Sequence, residues 1–352
     1  MTSLLLKKNM QLKNNSICPI CSGQISNTKT PYNDIGWTDF KIFKKLEIVH
    51  CTSCGFGFST PELDEKLVNN FYSDQYRGKE STFHINFSKL KGNLGVKDIR
   101  NSRAFGQLYL ARSFCKFNKQ DIFLNIGPGV GGSFNVANIL LNNPNLRAIE
   151  LSRGAKEFYK DFYCAESHNS INDFVSSNLE AQIIIMSHSL EHYRLSDLSE
   201  LLSNLSLALA KNGVAVIEVP HVDLRIHEKN RGTDTPHFLF FSLESIKKLF
   251  EKNSFEILFI DTCGQYYSTC KDPSSLDNKS LKLKRNLKQG FNNLPKSYQI
   301  ILRSMLRIFE KVKTFRLVQK INTTYSLPQL SYGENRQAIR MVIRNKKSID
   351  DH

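Results

Sequence analysis

From about residue 116 onward, short apolar runs alternate with longer amphipathic stretches. Ile122–Ile126, Leu146–Leu151, Ala181–Ser187 and Gly213–Val219 are runs of strand length, and the stretches between them carry apolar residues at helical spacing. Strands that alternate with helices predict a parallel sheet covered on both faces, an α/β doubly wound fold. Two later strands are expected at Phe255–Thr262 and Ala338–Arg344, with an interruption of about seventy residues between them.

Ahead of this pattern the chain reads differently. Cys18-Pro-Ile-Cys21 and Cys51-Thr-Ser-Cys54 are two C-x-x-C pairs separated by 29 residues. Each pair presents two thiolates to one tetrahedral ion, and Gly55 suits a tight turn that aims backbone amides at sulfur. The interval is longer than the usual spacing of roughly 15 to 20 residues, but Trp37–Val49 reads as strand material, and a hairpin there brings the pairs together. Four cysteines leave no coordination position open, so Cys18, Cys21, Cys51 and Cys54 are expected to hold a structural zinc. Residues 15–60 thus read as a small zinc-ribbon-like module. Residues 61–115 read as a helical connector, with Phe71, Tyr72 and Tyr76 at helical intervals.

The charge is uneven. Lys and Arg number 48 against 33 Asp and Glu, a formal net charge of +15. Lys271 to His352 alone hold 18 basic and 6 acidic residues, so most of the excess lies there. Within a basic helical insertion over 265–334, Tyr298–Val318 puts Tyr298, Ile301, Met305, Ile308, Val312 and Phe315 on one face and Arg303, Arg307 and Lys311 on another. Such a surface attracts anions: a phosphate-bearing small molecule or glycan, an anionic membrane at its periphery or, less favoured, nucleic acid. No apolar run approaches the roughly 18 residues of a membrane span, and Leu4-Leu5-Leu6 is too brief for a signal-peptide core, so a cytoplasmic location is expected. Cys115, Cys164, Cys263 and Cys270 are scattered, unlike a secreted disulfide framework.

Leu124-Asn125-Ile126-Gly127-Pro128-Gly129-Val130-Gly131-Gly132-Ser133-Phe134 follows a predicted strand and opens a predicted helix. Glycines there allow a sharp turn and a close backbone approach to a ligand, and the helix start offers unpaired amides. The spacing fits both G-x-G-x-x-G and G-x-G-x-G, so a nicotinamide cofactor and a methyl-donor cofactor remain open at this point. Glu150 closes the next strand, 19 residues past Gly131, where a carboxylate accepts hydrogen bonds from ribose hydroxyls in either case.

The run Ala181–Ser187 leads into His188-Ser-Leu-Glu191-His192, a helix from about Asp197 to Leu209, and Lys211-Asn-Gly213-Val-Ala-Val-Ile-Glu-Val-Pro220. Together with the glycine loop and Glu150, this block resembles class I S-adenosylmethionine-dependent methyltransferases. Cys18 to Tyr76, with Cys-Gly-Phe-Gly-Phe and Phe-Tyr-Ser-Asp-Gln-Tyr, is similar to the zinc-binding domain ahead of some bacterial sugar and natural-product methyltransferases. His237-Phe-Leu-Phe-Phe-Ser-Leu resembles a segment beside their substrate pocket. The resemblance implies a Rossmann-like sheet in the order 3-2-1-4-5-7-6 with a reversed last strand, built from 116–264 and 335–347. It also implies S-adenosylmethionine held by Asn125, Gly127, Pro128, Gly129, Gly131, Glu150, Asn172, Ser187 and His188. This chain departs from the family at Asn125, where an acid is usual, and at Pro236, where sugar C-methyltransferases often have Glu. The last ninety or so residues do not accommodate the second α/β domain of those enzymes. The implied activity is methyl transfer to a small-molecule or glycan acceptor, with a sugar-type hydroxyl favoured and an RNA-binding or RNA-modifying methyltransferase as the alternative.

A hydroxyl acceptor needs a base. His192 and His237 are the candidates, since imidazole accepts a proton near neutral pH, and Glu191 suits an orienting acceptor. His188-x-x-Glu191-His192 also spells the inverted zinc-peptidase signature, but it sits just past an apolar strand instead of inside a long helix, which makes an HxxEH metallopeptidase the distant alternative. A divalent cation at His188, Glu191 and His192 would resemble the metal-dependent quinone O-methyltransferases, in which the first position is acidic.

Overall fold

A computed structural model of the chain describes residues 17–32, 41–76, 78, 85–87, 103–142, 144–227, 234, 236–263 and 338–346. The N-terminal part folds on a small antiparallel sheet made of β1 (Thr30–Pro31), β2 (Glu47–His50) and β3 (Gly57–Thr60). Of the expected strand material at Trp37–Val49, only the end is a strand: Lys41–Phe43 forms a 3-10 turn, and residues 33–40 lie outside the described residues. Helix α1 (Glu65–Asn70) follows, capped by Asp64, whose carboxylate accepts from the amides of Lys66 and Leu67. It runs on through a wide turn over Phe71–Gln75.

The second sheet begins beyond helix α2 (Arg103–Arg112). Strands β4 (Ile122–Ile126), β5 (Asn145–Ile149), β6 (Glu166–His168), β7 (Ala181–Ser187) and β8 (Leu209–Pro220) are parallel. Their apolar residues alternate between two clusters, as the two-residue period of a strand requires. Leu124, Ile126, Ile184, Met186, Ala215 and Ile217 face one cluster, while Phe123, Ile183, Ile185, Val214 and Val216 face the other. Both faces are therefore buried, which is why these runs read as continuously apolar. Helices α3 (Gly132–Leu140) and α4 (Arg153–Tyr163) join α2 on one face through Phe134, Ala137, Phe158 and Tyr159. Helices α5 (Ile171–Ser176) and α6 (Leu198–Ala208) cover the other through Phe174, Leu201 and Leu205.

Beyond a two-residue strand, β9 (Leu239–Phe240), helix α7 (Leu243–Lys252) leads into β10 (Phe255–Cys263). The last strand, β11 (Ala338–Asn345), inserts between β8 and β10 and is antiparallel to both. The sheet order is β6-β5-β4-β7-β8-β11-β10, which in chain order of its seven strands is 3-2-1-4-5-7-6. The expected order and the reversed last strand are both present. Residues 264–337, with the expected basic helix at Tyr298–Val318, lie outside the described residues. Among the described residues, no helix is long and apolar enough to cross a membrane.

The two sheets are joined by β9. It pairs with β3, Gly57 opposite Phe240 and Phe58 opposite Leu239, so the N-terminal sheet takes its fourth strand from the sequence between β8 and α7. Ser59 N donates to Phe238 O at 2.8 Å, Lys252 Nζ donates to Pro19 O at 3.0 Å, and Ser242 Oγ donates to Cys54 O. Ile20, Phe43, Phe56 and Phe71 belong to the same hydrophobic cluster as Leu201, Phe241 and Phe250.

Candidate active site

The carboxyl ends of β4, β5 and β7 open on a cavity of about 470 Å³. Ligands of doubly wound sheets sit at this edge, where the chain crosses from one face to the other. The loop after β4 is made of glycines in the left-handed region, with φ of 71° at Gly127, 62° at Gly129 and 73° at Gly131. A side chain at Gly127 would put its Cβ 2.4 Å from Ser189 Oγ, and Ser189 Oγ donates to Ile126 O at 2.9 Å, so the loop is pinned to the end of β7. Gly131 caps α3 and aims that helix start at the same edge.

Glu150 follows β5. Its Oε1 accepts from Leu151 N at 2.9 Å and Ser152 N at 3.0 Å, which fixes the carboxylate beside the glycine loop. Tyr159 Oη stands 2.6 Å from Gly129 O and 3.2 Å from Glu150 Oε2, tying loop and acid together from α4. Gly127, Gly129, Glu150 and Asn172 all line the cavity. A flat backbone cradle, a helix start and a fixed carboxylate are the donor and acceptor set that an adenosyl cofactor with ribose hydroxyls requires.

The same cavity is lined by His188, His192, Tyr72 and Tyr76. Glu191 and His192 share the single 3-10 turn Leu190–His192, and the His192 and His237 rings lie 5.0 Å apart, centroid to centroid. One carboxylate oxygen of Glu191 and one ring nitrogen from each histidine fall within 4.8 Å of one another. Burial drives His237 down to about 3, helped by the nearby His192. That imidazole is neutral at physiological pH. Burial would raise Glu191, but the neighbouring His188 and the two other histidines hold it at about 2.

Behind this trio runs a buried charge network that the sequence reading does not contain. Glu218, fully buried on β8, lies 2.6 Å from Arg340 Nε on β11 and 3.1 Å from Arg103 Nε on α2. Gln107 Nε2 donates to Glu218 Oε2 at 2.9 Å and to Ser187 Oγ at 2.7 Å. His188, at φ 51° just past β7, stands between two acids, with Nδ1 3.3 Å from Glu191 Oε1 and Nε2 3.5 Å from Glu218 Oε1. Burial lowers its pKa, but the two carboxylates outweigh that and bring it up to about 9.

The four cysteines meet as well. Cys18 Sγ is 3.8 Å from Cys54 Sγ, Cys21 Sγ is 3.5 Å from Cys51 Sγ, and all four sulfurs lie within 4.8 Å of one another. Sulfurs on a tetrahedral zinc with bonds of about 2.3 Å stand roughly 3.8 Å apart, so the spacing fits that ion. Gly23 N, after the first pair, and Cys54 N, within the second, point at Cys21 and Cys51 Sγ, each at 3.4 Å, while Gly55 turns at φ 71° and its N donates to Cys51 O at 3.0 Å instead of to a sulfur. The contact with Cys54 lowers Cys18 to about 5, and the same contact together with burial raises Cys54.

Several residues expected at the cofactor lie behind the cavity wall. Asn125 is buried under the glycine loop, where its amide donates to Ser133 Oγ and its Oδ1 has no hydrogen-bond partner. Ser187 accepts from Gln107. Pro128 shapes the loop through Gly131 N, which donates to its carbonyl at 3.0 Å. The structure groups Glu191 and His192 with His237 and sets His188, at the cavity wall, between Glu191 and Glu218. The H-x-x-E-H run is also no helix: His188 precedes a single 3-10 turn, which removes the helical spacing that peptidase chemistry needs.

A family model for a methyltransferase domain matches residues 100–259. No curated protein matches the chain. Among solved structures, a SAM-dependent methyltransferase from Archaeoglobus fulgidus is 16% identical, with 70% of this chain and 95% of that one covered and a TM-score of 0.39. A mycolic acid cyclopropane synthase complexed with SAH and CTAB is 12% identical over 66% of this chain and 81% of that one, with a TM-score of 0.40. For a geranyl diphosphate C-methyltransferase from Streptomyces coelicolor the values are 13%, 68%, 78% and 0.37. Likenesses this remote carry no argument about the acceptor. The matched segment runs from α2 to β10 and contains the glycine loop, Glu150 and the Glu191–His192 turn, so residues 100–259 are a methyltransferase domain and the chain is an S-adenosylmethionine-dependent methyltransferase.

Proposed function

We propose that the chain transfers the methyl group to a hydroxyl of a small-molecule or glycan acceptor, with a sugar-type hydroxyl favoured. The observation that carries the proposal is the lining of one cavity by both the cofactor cradle of Gly127, Gly129 and Glu150 and a polar, aromatic wall of His192, Tyr72 and Tyr76. S-adenosylmethionine supplies a methyl already activated on a sulfonium. The chain must therefore hold the acceptor oxygen in line, exclude water and help its proton leave as the O–CH3 bond forms and the S–CH3 bond breaks. Tyr72 and Tyr76 pack edge to face beside His192, giving the acceptor an apolar surface next to a proton-accepting group. The Glu191–His192–His237 trio reaches the cavity through His192, at the wall where that proton must leave.

Two further elements support the proposal. A structural zinc at Cys18, Cys21, Cys51 and Cys54 would hold the N-terminal sheet on β9, next to the loop that carries His237. The Lys- and Arg-rich sequence over 265–334 would attract a phosphate on the acceptor or an anionic surface that displays it.

Labelled methyl transfer into a fractionated cell extract tests the proposal. Label is expected in the small-molecule or glycolipid fraction. Label confined to RNA, with binding that falls steeply in salt as phosphate contacts demand, would replace the acceptor class.

A further inference from the structure

We propose that Glu191, His192 and His237 bind a divalent cation at the acceptor side of the cavity. Their ligand atoms lie within 4.8 Å of one another, a spacing that small side-chain rotations close onto an ion with bonds of about 2.1 Å. The set differs from the one suggested by the H-x-x-E-H run, because both ring nitrogens of His188 face acids, Nδ1 toward Glu191 and Nε2 toward Glu218, and the third ligand comes from His237, on the loop before β9.

Glu191 supplies the independent sign of a ligand. It is 1% exposed, and neither carboxylate oxygen has a hydrogen-bond partner. The nearest cation, His188 Nδ1, stands 3.3 Å from Oε1 without the alignment of a hydrogen bond. A buried carboxylate with unmet lone pairs is costly unless a charge or donor meets it. His188 stands against Oε1 alone and leaves Oε2 without a hydrogen-bond partner, so it does not by itself satisfy Glu191.

The backbone is built to hold this geometry. Phe238 N donates to Glu191 O at 2.8 Å, locking the His237 loop to the Glu191 turn, and His237 N donates to Asp234 O at 2.7 Å. Tyr72 Oη and Tyr32 Oη donate to Pro236 O and His237 O at 3.0 and 2.9 Å. His192 Nδ1 lies 3.3 Å from Pro236 O. Donation there fixes the tautomer whose Nε2 carries the lone pair, the arrangement that orients metal-binding histidines. Two imidazoles and one carboxylate suit manganese, iron, cobalt or zinc, and three protein ligands leave positions open. Since His192 lines the cavity, those positions face it. The consequence for catalysis rests on the hydroxyl-transfer reading: a hydroxyl bound at an open position loses its proton to water more readily, and its oxygen then takes the methyl as the S–CH3 bond breaks.

Titration of the full chain with Mn2+, followed by loss of the free-ion EPR signal, tests the site while elemental analysis follows zinc. One Mn2+ per chain is expected, lost in Glu191→Gln and in His237→Gln, with zinc content and S-adenosylmethionine binding retained. Where Glu191→Gln does not fold, His237→Gln decides. A wild type that binds no Mn2+, or folded variants that keep it, would overturn the proposal. Turnover that falls in variants of a chain without Mn2+ would make the trio a general base, refuting the cation and sparing methyl transfer to a hydroxyl. Mn2+ loss in the variants of a chain that methylates no hydroxyl would keep the cation and refute that reaction.

Discussion

Glu218 Oε2 and Arg340 Nε stand 2.6 Å apart in the interior, on strands β8 and β11 that are neighbours in the sheet and 122 residues apart in the chain. Arg103 and Gln107 bring α2 to the same carboxylate, and His188 brings the end of β7. One buried acid thus fixes the last strand, the helix that opens the methyltransferase domain and the turn that carries Glu191 and His192.

Removing one partner of a buried pair leaves an uncompensated charge, so Arg340→Met is expected to destabilise the fold by about 3 to 5 kcal/mol. The double variant Arg340→Met, Glu218→Leu should lose less than the sum of the two single changes. Urea denaturation measures both; additive losses would mean that the two side chains do not stabilise each other.

Acid should reveal the same pair. Burial raises the Glu218 pKa, but Arg340, His188 and Arg103 outweigh it and bring the carboxyl down to about 2 from an ordinary 4.5. A depressed carboxyl contributes its stability above the unfolded pKa and loses it as pH falls toward the folded one. The stability gap between wild type and Arg340→Met should therefore be full at neutral pH and narrow as pH drops below about 4.5. A gap that widens in acid would contradict the assignment.

Gly127→Ala places a Cβ at φ 71° and 2.4 Å from Ser189 Oγ. Left-handed strain alone costs on the order of 1 kcal/mol, and the collision must move either the loop or Ser189. Cofactor affinity should fall more than global stability, and adding Ser189→Ala should restore part of it. Calorimetry on the single and double variants checks this.

With the proposed zinc at the four cysteines, one ion per chain is expected in the wild type, falling toward none in Cys51→Ser. Because β3 pairs with β9, loss of the ion should also loosen the loop that carries His237. Hydrogen exchange at Phe238 and Phe240 is the readout; unchanged protection there would mean that the cysteine cluster does not support the site.

Much of the frame was legible because its signals are local. Continuous apolar runs mark β4, β7 and β8, and the apolar run Ala338–Ile343, broken only by Arg340, marks β11 even after the long interruption. The edge strand β6, Glu166–His168, is three residues long and not apolar, so nothing in its own sequence sets it apart. β9 is two residues long and is a strand only because β3 lies beside it. The glycine loop and Glu150 announce themselves by spacing. Glu218, by contrast, reads as a single polar intruder in Val216–Val219, and its meaning comes from Arg340, which only the closed sheet brings near. His192 and His237 were each visible as candidates, but their proximity depends on the hydrogen bond from Phe238 N to Glu191 O.

Calorimetric titration with S-adenosylmethionine and, separately, with NAD tests most directly the claim that the edge above β4 and β5 is a methyl-donor site. One S-adenosylmethionine per chain is expected to bind, weakened by about 1 to 3 kcal/mol in Glu150→Ala through the lost charged hydrogen bonds, with no heat from NAD. Binding of NAD in place of S-adenosylmethionine would contradict the account.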